Sequence, residues 1–496
     1  MTFRSAVIDV EPEEILTLRE IFMILLKEHI ISKRNWKNKI NDDNIIDKYK
    51  YEFKEHVKKK LKYEEDESIE NMFQYVIDDL RKNSSKYNYF VLFKEILIAD
   101  DFIPNDLQEK LIKEVNDYQN SIEIDYHPGS NDQVIDIVHP SLNFYVHGRS
   151  EISKKNASLF IESNSINHSK KYQWLPSDVT VKDGFCKFES YINNLDVNSN
   201  LNNTIEEIFN YFIPMFEECL ALLKNKVKPI DIIQLNNEDY LFLDKNNLLK
   251  HDVNSKDLKK IKNIIKYDEI KDDLYDNYDL TYDDLLDSFI IKLPIFNIKY
   301  KIPKIKKYNL DNRKLQVIVK IGETLINKND TFKGGNYHVE GMINERIVAT
   351  GIYYFEIDNI KDSKLEFRQS VTDEDFNYNQ YEYKHLEYIY GFENFNKFTQ
   401  NLGSITALEG RMLVFPNIYQ HKILPFDLID ANKVGIRKIL VFFLVDPEVK
   451  IISTSMVKQQ DFNDKYILRE KLMEERKNYN KVNDEKFVRE FFLCEH

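Results

Sequence analysis

Cysteine, tryptophan, glycine and proline are all scarce in this chain. Its 496 residues hold only three cysteines (Cys186, Cys219 and Cys494), none in a CxxC spacing. That excludes a disulfide framework and a cysteine zinc site, and it points to a reducing, intracellular compartment, cytoplasmic or nuclear. Only 12 Gly and 12 Pro occur, too few for a collagen-like or low-complexity chain. An excess of positive charge is also missing: 70 basic residues stand against 83 acidic ones, a net charge of -13. General nucleic-acid binding is therefore not expected. Long apolar runs are absent too. The most apolar early stretch, ILTLREIFMILLKEHII, is broken by Arg19, Glu20, Lys27 and Glu28. It reads as an amphipathic, buried helix, and no membrane association is expected.

What is present is a globular composition, 42% hydrophobic and 13% aromatic. Five regions can be told apart. Residues 1–116 carry helical spacing, as in ESIENMFQYVIDDLRKN, where Met72, Val76 and Leu80 recur at fours. Residues 117–249 read as a mixed α/β region packing on the core. Its short strands lie in KYQWLPSDVTVKDGFCKFESYINNL, and its helix in NNTIEEIFNYFIPMFEECLALLKNKV should be capped by Asn203 or Thr204 and kinked at Pro214. Residues 250–307 are an acidic polar insertion without a calcium-loop pattern. Residues 308–460 change character: LQVIVKI, RIVATGIYYF, LEFRQS, RMLVF, NIYQHKI, RKILVFFLV and KIISTS are β-rich runs parted by polar turns. Strands without intervening helices predict a jelly roll, interrupted by a polar excursion at roughly 371–400. Residues 461–496 are a charged C-terminal helix or tail. The expected class is α+β, a jelly-roll core flanked by helices with a largely helical N-terminal half.

Eleven histidines and 83 acidic residues should give about two His-x-acid pairs by chance, and the chain holds two. The His385/Glu387 pair sits in QYEYKHLEYIYGF, which suits a short helix where the two side chains would diverge by about 200°. The His338/Glu340 pair, in NYHVEGMINERIVATGIYYF, enters a strand, where residues i and i+2 share a face. A second imidazole comes from His421, beyond the Pro-Asn turn of LEGRMLVFPNIYQHKI. Sixteen residues on, Arg437 leads into an apolar strand, and a guanidinium there requires a fixed anion. His-x-Glu, a distant His and a later Arg form the arrangement of Fe(II)/2-oxoglutarate oxygenases. Behind these stand Gln316 and Lys320 on one face of LQVIVKI, with Tyr353 and Arg368 on neighbouring strands; Gln316 is a candidate co-substrate contact. His127, His139 and His147, each an even number of residues from the next in an irregular segment, read as capping and buried hydrogen-bonding residues rather than ligands.

The stretches GGNYHVEGMINERIVATGIYYFEIDNIKDSKLEFRQ, LGSITALEGRMLVFPNIYQHKILPFDL and GIRKILVFFLVDPEVKIISTSMV closely resemble the core of a large fungal family of uncharacterised proteins. Those proteins are themselves similar to Fe(II)/2-oxoglutarate-dependent oxygenases. DYHPGSNDQVIDIVHPSL and YQWLPSDVTVKDGFCKFESYINNL carry the likeness outside the core, so that it covers most of residues 70 to 460. The resemblance implies a double-stranded β-helix with iron ligands His338, Glu340 and His421 and a 2-oxoglutarate anchor at Arg437. It implies a dioxygenase that hydroxylates or demethylates a small molecule or a protein side chain; the family's pattern does not specify which. The first carboxylate departs from the Asp that most such oxygenases carry. Two other readings fit the same barrel: a different cupin-type metal enzyme, and a metal-free binding or scaffold protein.

Overall fold

The computed structural model describes the chain apart from residues 1, 62–63, 87, 161–163, 227, 232, 234–239, 243–288, 292, 298–304, 373–383, 394–395, 461 and 489–496. The acidic run of the insertion therefore lies outside the described residues.

Helices dominate the start. They are α1 (Leu18–Ile31), α2 (Trp36–Lys39), α3 (Asp43–Lys60), α4 (Asp66–Lys86), α5 (Asn105–Gln119), α6 (Lys154–Ala157) and α7 (Leu201–Asn225). The broken apolar stretch is α1, as its spacing predicts. Thr17 and Glu20 close a capping box at its N-terminus, the Thr hydroxyl accepting from the Glu20 amide and the Glu carboxylate from the Thr17 amide. Met72, Val76 and Leu80 of α4 are fully buried.

Strands β1 (Tyr89–Phe93), β2 (Ile96–Asp100), β3 (Val134–Val138), β4 (Phe144–Val146), β5 (Tyr172–Trp174), β6 (Ser177–Lys182), β7 (Phe185–Phe188), β8 (Tyr240–Phe242) and β9 (Phe289–Ile291) precede the β-rich region. Within that region lie β10 (Arg313–Ile326), β11 (Ile347–Asp358), β12 (Ile360–Lys361), β13 (Lys364–Ser370), β14 (Thr399–Thr406), β15 (Arg411–Pro416), β16 (Gln420–Ile423), β17 (Asp427–Leu428) and β18 (Gly435–Val445). Nine of them form one antiparallel sheet in the order β1-β2-β15-β11-β18-β10-β6-β7, with β3 also on the free edge of β10. A three-stranded antiparallel sheet, β14-β13-β16, accompanies it.

Several expectations from sequence need correcting. The sheet is not confined to 308–460, because the β1–β2 hairpin joins it through β15, and β3 and β6 join it through β10. KIISTS forms no strand; its Ile451 instead exchanges backbone hydrogen bonds with the Gln316 side chain. Helix α7 starts at Leu201, ahead of Asn203 and Thr204, and runs on through Pro214.

Helix α7 covers one face of the large sheet. Phe209 and Phe212 meet Phe442 of β18 edge-on at 5.0 and 5.1 Å. Gly351 of β11 lies directly beneath: a Cβ there would stand 2.6 Å from Phe212 Cδ1, so only glycine lets helix and strand approach this closely. Alternation along β11 then turns Thr350 and Tyr354 to the opposite, inner face. The same parity on β18 turns Arg437 inward, opposite Thr324 of β10.

Candidate metal centre

His338 and Glu340 converge, but not by the route that strand alternation suggests. Strand β11 begins only at Ile347. His338 instead makes an isolated antiparallel bridge to His421, with reciprocal backbone bonds of 3.1 and 3.0 Å. The chain then turns at Gly341, which takes the left-handed φ of +72°. Asn417 fixes Glu340 in that turn: its Oδ1 accepts from the Glu340 amide at 2.9 Å, and its Nδ2 donates to the Glu340 carbonyl at 2.8 Å. Asn417 is fully buried and also donates to the Ile347 carbonyl. In the sequence it stands only as half of a Pro-Asn turn, and its place four residues before His421 is the available signal.

His421 stands on β16, paired with Phe367 of β13, and its ring packs against Phe415 and Phe367. The centre thus sits where the three-stranded sheet meets the segment feeding β11 of the large sheet. Glu340 Oε1 lies 3.7 Å from His338 Nε2 and 3.3 Å from His421 Nε2. All three ligand-type atoms fall within 4.8 Å of one another. His338 Nδ1 sits 2.9 Å from the Asn336 carbonyl. A carbonyl only accepts, so Nδ1 carries the hydrogen and Nε2 of the neutral ring offers its lone pair towards Glu340. A carboxylate has no proton to give, so His338 Nε2 can meet it only through an added proton or a shared cation, whereas neutral His421 can donate to it from Nε2. Two imidazoles and one carboxylate on a single point are the donor set of non-haem Fe(II) sites.

The electrostatics agree. Burial works against charge on His338, but the Glu340 carboxylate outweighs it and raises the imidazole's proton affinity. Burial likewise opposes ionisation of Glu340, yet His338 and His421 together hold it well below the usual carboxylate range. His421 is pushed down, by burial first and then by His338.

Arg437 does not touch these three. It is almost fully buried, donating from Nη1 to Ser363 Oγ at 2.8 Å and from Nη2 to Thr324 Oγ1 at 3.2 Å. Its Nε has no partner, and among the described residues no carboxylate lies within ion-pair reach. Gln316 is not brought to the centre: its amide is taken up by Asp178 and by the backbone of Ile451. Tyr353 shares the α7 face with Gly351 and so points away from the inner face. Arg368 donates to Gln420, which neighbours His421, and to Asp484 of the C-terminal helix Lys465–Phe487. His385 and Glu387 fall on the short helix Lys384–Tyr390.

A second cluster, His127, Asp136 and His139, also gathers within 4.8 Å. Asp136, which carries no spacing signal in the sequence, joins the two histidines there. His139 Nδ1 accepts the Ser141 amide at 3.1 Å, which puts the ring hydrogen on Nε2, the nitrogen facing Asp136. Asp136 in turn accepts from His127 and from Arg469 of the C-terminal helix. Asp136 Oδ1, 3.9 Å from His139 Nε2, has no hydrogen-bond partner among the described residues, so the cluster combines a hydrogen-bonded carboxylate with a geometry that could also hold a metal. His147 is taken up by Tyr145 and stacks on Phe160.

Comparison with solved structures finds limited likeness. A Bacillus thuringiensis protein described as IDO matches at 10% identity and a TM-score of 0.17, over 27% of this chain and 50% of that one. The Fe(II)/(alpha)ketoglutarate-dependent dioxygenase TqaL matches at 15% and 0.19, over 34% and 54%. A Pseudomonas putida prolyl-4-hydroxylase matches at 10% and 0.15, over 26% and 51%. The chain thus spans about half the length of these structures. No curated protein matches. No helix among the described residues is long and apolar enough to cross a membrane. A family model described as a protein of unknown function, DUF4246, matches residues 70–464, and that family's N-terminal domain model matches residues 2–52. The chain belongs to the DUF4246 family.

Proposed function

We propose that this protein is an Fe(II)/2-oxoglutarate-dependent oxygenase on a double-stranded β-helix, with His338, Glu340 and His421 as iron ligands and Arg437 as the co-substrate anchor. The observation that carries this reading is Arg437. A buried guanidinium held by two hydroxyls and lying over the Phe426 ring, with an unpartnered Nε, lacks among the described residues the anion that would offset its desolvation. The planar fork suits one carboxylate of a dicarboxylate bidentately. Bound iron with 2-oxoglutarate would supply oxygen activation coupled to decarboxylation, giving succinate, CO₂ and an oxidised C–H group on the substrate.

The chain's own part is to position and to shield. Asn417 fixes the backbone of Glu340, the His338–His421 bridge keeps both rings on one side, and Phe415 and Phe367 wall off His421. Ser363 and Thr324 orient the guanidinium. The substrate is either a small molecule or a protein side chain. Anaerobic titration tests the reading. The wild-type protein should bind one Fe(II) and, on adding 2-oxoglutarate, develop a visible charge-transfer band. His338→Ala and His421→Ala should abolish iron binding with the fold retained. Arg437→Ala should keep Fe(II) affinity while losing about 2–5 kcal/mol of 2-oxoglutarate binding, and Arg437→Lys should fall between. An Arg437→Ala protein that binds and decarboxylates 2-oxoglutarate like wild type would remove the arginine from the site and favour a metal enzyme that uses no keto acid.

A further inference from the structure

The C-terminal helix Lys465–Phe487 buries one stripe: Leu468, Leu472, Arg476, Tyr479, Asn483 and Phe487, three or four residues apart. Arg476 stands where that period calls for an apolar side chain. A guanidinium so placed is costly unless an anion meets it. The anion is Glu345, which is fully buried. Arg476 Nη2 donates to Glu345 Oε1 at 2.6 Å, and Arg476 Cζ lies 3.6 Å from the centre of the Trp174 ring. Glu345 passes the contact on. Its Oε1 also accepts the Trp174 amide at 2.8 Å, and its Oε2 accepts the Met342 amide at 2.7 Å. Met342 follows Gly341 in the turn that leaves Glu340, and a Cβ at Gly341 would stand 3.3 Å from Glu345 Oε2. The later turns of the helix reach the same segment. Tyr479 and Phe487 share an apolar cluster with Met342 and with Val339, the residue between His338 and Glu340. Asn483 Oδ1 accepts from Gln420, the residue before His421, at 3.4 Å.

We propose that Glu345 and Arg476 are positioning residues for the metal centre, so that the C-terminal helix is part of the site and not a brace of the fold alone. Asn417 fixes the amide and carbonyl of Glu340, and the Glu345 carboxylate fixes the amide two residues on. Arg476 supplies the charge that keeps this carboxylate in an apolar shell. Without it the carboxylate would be left buried against two neutral amides, and the Met342 amide would lose a fixed partner. Arg476 thus acts on Glu340 through Glu345 and does not touch the metal. The inference rests on the metal-centre reading above and extends it to a helix beyond residue 464, where the family match ends.

The test uses the full chain with Co(II), whose visible ligand-field bands follow the geometry of its ligands, beside a melting curve. The site counted is the one that His338→Ala abolishes. Arg476→Met should weaken Co(II) there by roughly tenfold or more and shift its bands, as loss of an outer-shell partner does. Arg476→Lys should recover part of the loss by returning the charge. Leu472→Ala is the control, since Leu472 lies in the same stripe but packs into the main core. It should lower the melting temperature and leave Co(II) affinity and bands as in wild type. If Arg476→Met does not fold, Phe487→Ala carries the same expectation, because it loosens the cluster with Val339 and Met342 and keeps the ion pair. Wild type that binds no Co(II), or binds it equally well in His338→Ala, overturns the metal-centre reading and this inference with it. If His338→Ala abolishes binding but Arg476→Met keeps wild-type affinity and bands, only the present inference falls. It falls too if Leu472→Ala weakens Co(II) as much as Arg476→Met does, since the helix would then act through overall stability.

Discussion

At the scale of single residues, Asn417 holds the candidate metal centre together. Its side-chain amide bonds both the amide and the carbonyl of Glu340, and the next residues but three deliver His421. Asn417→Ala would leave two partly buried backbone groups of Glu340 without their partners, at a cost of up to about 1–3 kcal/mol each. The expected outcome is a folded protein of lower thermal stability whose Fe(II) affinity drops at least tenfold through loose placement of Glu340. Anaerobic iron titration beside a melting curve reads both. Unchanged iron affinity would show that the His338–His421 bridge alone fixes the ligands. The candidate site residues, His338, Glu340, His421 and Arg437, could be named from sequence because each is an unusual type for its place. Asn417 could not, since an Asn after a Pro has an ordinary explanation in a turn.

At the scale of elements, an ion pair inside the large sheet, between β15 and β2, also takes hold of the N-terminal helices. Arg411 of β15 donates from Nε to Asp100 Oδ1 at 2.6 Å and from Nη2 to Oδ2 at 2.9 Å, while Trp36 of α2 donates to the same carboxylate at 2.8 Å. Arg411 further donates to the Ile31 carbonyl at the end of α1. Burial would raise the Asp100 carboxyl, but Arg411 outweighs it and holds it below its ordinary value of 3.8. A carboxyl depressed in the folded state adds stability that is fully present above pH 3.8 and is lost as pH falls through the lower folded value. Asp100→Asn should therefore cost about 3–5 kcal/mol at neutral pH by stranding the buried guanidinium. It should also flatten the acid limb of the stability curve below pH 4, where wild type loses the same interaction. Denaturant unfolding between pH 2.5 and 7 would show it, and parallel acid limbs for the two proteins would contradict it.

At the scale of the whole molecule, the β-rich region does not stand alone. Its large sheet continues through β2 and β1 on one side and through β3, β6 and β7 on the other, all contributed by residues before 190. Phe209, Phe212 and Phe216 of α7 fill its outer face, against Gly351 and Phe442. A fragment of residues 305–460 would expose that apolar face and two unpaired strand edges. It should be insoluble or fail to unfold cooperatively, as size-exclusion chromatography and calorimetry would report. A monomeric fragment with a single sharp transition would show that the flanking elements are additions and not parts of one core.

Sequence by itself determined the long strands and the amphipathic helices, because hydrophobic period is written locally: β10, β11, β13, β15 and β18 all carry it, and so do α1, α4 and α7. It also determined which residues were candidates for metal and anion chemistry. Tertiary structure decided how they meet. His338 and Glu340 are neighbours in space through a bridge to a strand 81 to 83 residues away and an asparagine clamp, not through alternation on a shared strand. KIISTS has the composition of a strand, but Gln316 takes up the backbone groups of Ile451 that a neighbouring strand would otherwise use. The β1–β2 hairpin sits in a helical region by sequence and extends the sheet because Arg411 and Asp100 register it there. Long-range pairing of this kind leaves no period in the local sequence, since a backbone hydrogen bond can be made by almost any residue; only the completed fold says which partner it finds.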